Sequence, residues 1–144
     1  MSDYTNLRGS YNYKNNNYNI PTYEQSNIDI YDTYNGFIRG NMFKDLYNTY
    51  KIDTPYEIMP MNEQAEWLTY IDTLAFALID IGLYLDIHDD DKNAIDIYNQ
   101  YRQYLGEYMI MYQNKYGPLT KTSDALNMYP WQWDNSPWPW EKGV

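Results

Sequence analysis

The sequence contains no cysteine. Disulfides, thiolate metal sites and a cysteine nucleophile are therefore excluded, and the absence fits assembly in a reducing compartment. Histidine is nearly missing too, His88 being the sole example. Positive charge is scarce: 10 Lys and Arg stand against 20 Asp and Glu, for a net charge of -10. Such a chain lacks the basic surface that displaces counterions from phosphates, so nucleic acid and anionic membrane surfaces are not expected partners. The most apolar stretch, Leu74–Leu85, is 12 residues long. A membrane span needs about 20, so none is expected. Met1–Asn19 holds no apolar run, and no secretory signal is expected there.

Catalytic signatures are equally thin. There is no phosphate loop, nucleophile elbow or recognisable hydroxyl–histidine–acid set. His88 lies beside Asp89, Asp90 and Asp91, which would suit a metal, but acids at a helix start more commonly cap its amides. Glu63, Glu66 and Glu107 come without the Glu-x-x-His pair of a dinuclear bundle site. We expect no enzyme activity, no cofactor and no metal site.

What the chain has in excess is tyrosine, 19 of 144 residues. Tyrosine pairs a large apolar ring with a polar hydroxyl at low entropic cost, which suits adhesive surfaces. Residues 1–35 concentrate it, with seven Tyr and eight Asn. Their aliphatic content is too low to offset the entropy of ordering, so this segment is expected to be a disordered tail. Residues 36–61 follow as a docking segment and proline-containing linker. Within it Met42, Phe43, Leu46, Tyr47 and Tyr50 suggest a short amphipathic turn.

Residues 62–118 carry the clearest pattern. Trp67, Ile71, Leu74, Leu78, Ile81 and Leu85 recur at alternating spacings of four and three, as do Ala94, Tyr98, Tyr101, Leu105, Tyr108 and Tyr112. These are two heptad-like seams, predicting helices from Asn62 to about Asp86 and from about Asp90 to Tyr116. The connection between them is short and rich in capping side chains, so the helices should form an antiparallel two-helix hairpin. Gly117-Pro118 closes the second helix. The fold class is therefore all-α. Phe76, Ile79 and Leu83 fall off the first seam, where one neighbouring helix cannot cover them. This face should meet another copy, another protein or the chain's own tails.

Residues 119–144 are expected to be an extended Trp/Pro-rich segment. Trp131, Trp133, Trp138 and Trp140 alternate with prolines that forbid a regular helix. Tryptophans of this kind serve as a clamp on the hairpin or as anchors in an interface. A carbohydrate-stacking platform is an alternative. Another is oxidative cross-linking of the tail through Tyr4, Tyr11, Tyr13, Tyr18 and Tyr23.

Several stretches resemble a known family. Leu74-Ala75-Phe76-Ala77-Leu78, Leu83-Tyr84-Leu85-Asp86-Ile87-His88, Lys115-Tyr116-Gly117-Pro118-Leu119, Tyr129-Pro130-Trp131-Gln132-Trp133 and Pro137-Trp138-Pro139-Trp140-Glu141 look like the CotJB family of small spore coat proteins. The resemblance covers residues 62–142. Asp89 departs from it, standing where a proline often follows the histidine. Gly36–Lys51 also resembles the CotJA-type coat peptides, with Lys44 in place of their usual proline. The resemblance implies a structural protein of the spore coat, made in the mother-cell cytoplasm. Its implied partners are other coat proteins, notably a manganese-catalase-like one, with self-association as a further expectation. It supplies no catalytic residues.

Overall fold

The computed structural model describes residues 28–46 and 55–134. Among these, the chain is helical: α1 (Thr33–Arg39), α2 (Glu63–Leu85) and α3 (Lys92–Tyr116), followed by a 3-10 turn at Asp124–Leu126.

Side-chain caps set the long helices. Asn62 accepts the Ala65 N–H at 2.8 Å, and Glu63 and Glu66 place negative charge in the first turn of α2. Asp91 accepts the N–H groups of Asn93 and Ala94, both at 3.1 Å, and starts α3. Gly117, at φ 109, ends α3, and Pro118 cannot continue it. The two helices run antiparallel. Gln64 near the start of α2 donates to the Tyr112 hydroxyl near the end of α3 at 2.9 Å, and Trp67 meets Tyr108 edge-on at 5.9 Å. At the other end the Tyr84 hydroxyl donates to Asp91 at 3.0 Å.

The core between them comprises Tyr70, Ile71, Leu74, Ala77 and Ile81 from α2, and Ala94, Ile97, Tyr101, Tyr108 and Tyr112 from α3. It is close to the expected seams but not identical. Trp67, Leu78, Leu85, Tyr98 and Leu105 are only half-buried, while Ala77 and Ile97 are fully enclosed. An α-helix turns every 3.6 residues, so a strict 3.5-residue stripe drifts around it over several turns. Thr69 and Thr73 are buried without cost to hydrogen bonding, because each hydroxyl donates to a carbonyl of its own helix.

Residues 28–46 span the boundary expected at residue 35. They form a closed strap. Ile30 and Phe43 make an antiparallel bridge, flanked by Tyr31 N–H to Met42 O at 2.8 Å and Lys44 N–H to Asp29 O at 3.1 Å. An ion pair joins the Lys44 and Asp29 side chains as well. Between the bridged ends, Asp32 caps α1, and Gly40, at φ 69, closes it as Asn41 N–H returns to Gly36 O at 3.0 Å. Composition missed this because the apolar surface that orders the strap lies on α2, outside its own sequence. Met42 and Phe43, expected in an amphipathic turn, instead follow the helix and are buried. Tyr47 and Tyr50, like the tail tyrosines Tyr4, Tyr11, Tyr13, Tyr18 and Tyr23, lie outside the described residues.

At 23 residues, α2 is long and apolar enough to cross a membrane by length and composition. The 12-residue count in the sequence was thus too short. Of its most apolar window, 44% is buried inside the fold.

Glu63 and Lys115 form an exposed ion pair that bridges the open ends of α2 and α3. The lysine, first as hydrogen-bond donor and then as charge, holds the Glu63 carboxyl below its ordinary pKa. A depressed carboxylate stabilises the fold above its unfolded value and loses that contribution as pH falls through the folded one. Lys115→Met should therefore move the Glu63 titration, followed by NMR, upward toward the ordinary glutamate value. Because both groups face water, the change in stability should be small and should shrink further with added salt.

Candidate interaction surface

Three faces of α2 meet three environments. Successive residues rotate by about 100°, so positions three and four apart share a face. The first face, Leu74, Ala77 and Ile81, packs on α3. The second, Phe76, Asp80 and Tyr84, lies under the strap. Phe37 meets Phe76 edge-on at 5.8 Å, Phe43 tilts against Tyr84 at 4.8 Å, and the Met42 N–H donates to Asp80 Oδ2 at 2.7 Å. The third face carries Asp72, Ile79 and Leu83, all exposed, with Asp86 just beyond the helix end.

Phe76, placed on the partner surface from sequence, is thus half-buried against the chain's own strap. Ile79 and Leu83 keep 65% and 60% of their surface exposed. With Leu78, Gly82, Asp86 and Tyr98 they line a shallow, open groove between α2 and α3. Gly82 matters here because the Tyr98 ring lies 3.6 Å from where its Cβ would stand. Ile87, in the turn just past the helix, is exposed as well. Sequence analysis does not single it out, because helical spacing stops at Leu85.

The stripe is bracketed by acids. Asp72 and Asp86 stand roughly 21 Å apart along the axis at ~1.5 Å per residue. Although Asp72 is exposed as a residue, its neighbours keep water from part of its carboxyl and push it above its ordinary pKa, so a nearby cation would ease that penalty.

At the α2–α3 connection, His88 stacks on the Tyr84 ring at 4.1 Å and its Nδ1 lies 3.0 Å from the Tyr84 carbonyl. Burial, then the hydrogen bond to Asp91 and the charges of Asp91 and Asp90, raise the Tyr84 phenol. Asp91 is occupied as a cap. Among the described residues, no group of three or more His, Asp and Glu is arranged to hold a metal.

The segment after α3 is not uniformly extended. Leu119 N–H returns to the Gln113 side chain at 3.1 Å, and Leu126 in the 3-10 turn is buried. Met128, Tyr129 and Trp131 are then exposed, with a cis peptide between Tyr129 and Pro130. Trp133 is half-buried, with the Lys121 ammonium 5.7 Å from its ring. Trp138 and Trp140 lie outside the described residues. The structure therefore leaves Ile79 and Leu83 open together, and covers Phe76, one turn before Ile79, with the strap.

Residues 65–141 match the model of a family described as CotJB protein. No curated protein and no solved structure matches the chain.

Proposed function

Since the chain belongs to the CotJB family, a family of spore coat components, we propose that it is a non-enzymatic scaffold that joins other coat proteins through the third face of α2. The observation that carries this reading is the exposed pair Ile79 and Leu83 on a helix whose other two faces are covered. Burying a large aliphatic side chain is worth about 1.5–3 kcal/mol, so a partner that seals the stripe gains most from these two positions. Asp72 and Asp86 select the rim of that partner: an apolar centre flanked by Lys or Arg. Trp131 offers a second, aromatic contact point. The engagement of His88 with Tyr84 and of Asp91 with the α3 amides supports a structural role for the only histidine-acid cluster.

A manganese-catalase-like coat protein is the partner we propose first. Co-expression of the two chains, followed by sizing with mass measurement, tests it. We expect one species whose mass requires both chains. Separate elution at micromolar concentration would count against that partner.

A further inference from the structure

We infer that the Phe76–Asp80–Tyr84 face of α2 is a peptide-recognition site, filled here by the chain's own residues 28–46 and able to bind a separate polypeptide segment of the same chemistry. This goes beyond the scaffold reading, which rests on the neighbouring, open face.

The recognising group is Asp80. It is the sole charge between Leu74 and Leu85, set between two aromatic side chains of its own face. Without the strap, that carboxylate would stand on an apolar face with no backbone donor aimed at it. With the strap in place, it takes the Met42 N–H at 2.7 Å, a charge-assisted bond of the stronger kind. Phe37 and Phe43 then sit on Phe76 and Tyr84, one turn of α2 to either side of it. One donor flanked by two aromatic anchors is a compact recognition code.

The occupant is tied to itself by its own bridge, cap and αL glycine, while α2 supplies the apolar surface on which it is ordered. Contacts within the segment lower the conformational freedom it must give up on docking. Met42 is fully buried, and Gly36 permits this, because a Cβ there would overlap the Met42 sulfur. The site and its occupant are also separable in sequence. The family match begins at residue 65 and contains Phe76, Asp80 and Tyr84, whereas the strap precedes it.

The test keeps the full chain. A protease recognition sequence is placed within residues 47–54, and the folded protein is cut there. A fluorescent peptide of residues 28–46 then reports binding by anisotropy. We expect the N-terminal fragment to stay bound at micromolar concentration and to exchange with excess peptide. Asp80→Leu should weaken peptide binding at least tenfold. Asp80→Asn, which keeps an acceptor oxygen, should lose less. Ile79→Asp with Leu83→Asp should leave peptide binding unchanged, which separates this site from the scaffold face. Three results would overturn the inference: no peptide binding by the cut chain, equal binding by Asp80→Leu, or aggregation on cutting, which would make the strap an obligate part of the core. In the uncut chain, Asp80→Leu should speed hydrogen exchange at Met42 and Tyr31 and spare the α2 and α3 amides. Equal loss of protection throughout would also sink it.

Discussion

The double variant Ile79→Asp, Leu83→Asp should abolish co-purification with a coat partner while the free chain keeps its helical signal and elution volume. Both side chains are mostly exposed and make no part of the α2–α3 core. Surface changes of this kind usually alter stability by less than about 0.5 kcal/mol, and helix propensity adds only a few tenths per position. Association is another matter. The variant removes the two largest contributions to the buried patch. It also adds two carboxylates between Asp72 and Asp86, where any partner would have to strip their water. The resulting loss should be at least a hundredfold in affinity, since each 1.4 kcal/mol is tenfold. Recovery of the complex in parental yield would place the interface elsewhere. The matched neutral change, Leu83→Ala, should weaken the complex by a smaller factor and leave stability almost untouched.

Leu74→Ala should do the reverse, lowering stability by about 2–5 kcal/mol. Leu74 has no exposed surface and lies at the centre of the face between α2 and α3. Truncation there forfeits transfer energy and leaves a cavity that two rigid helices close poorly. Small domains have only about 5–15 kcal/mol of stability in all, so the melting temperature should fall by on the order of 10 °C or more. Chemical denaturation of the parent and variant, compared with Leu83→Ala, measures the contrast. A cost under about 1 kcal/mol at Leu74 would mean that the helices do not pack through this face.

These two leucines lie nine positions apart on one helix, and the sequence distinguishes them only in part. Helical periodicity separates the two faces, because spacing of three and four is a local property of the backbone. It assigns Leu74 to the seam and Leu83 off it, as found. Phe76 shows where the rule stops. Its position on the helix says that α3 cannot cover it, but says nothing of the strap that does. The strap's bridge pairs residues 13 positions apart, and Asp80 takes the amide of a residue 38 positions earlier.

The helices and their ends are thus written locally, in residues that act on their near neighbours. Asn62, Asp91 and Gly117-Pro118 act on amides and carbonyls within a few residues, and the 3–4 rhythm sets which sides are apolar. Membership of the family was likewise legible, from its motifs. That residues 28–46 fold, that Phe76 is covered and that Asp80 has a backbone partner emerges once distant parts of the chain meet. The physical reason is that a main-chain N–H carries no side-chain label. Which amide an acid will accept depends on where the folded chain brings it, and no pattern of residue types records that.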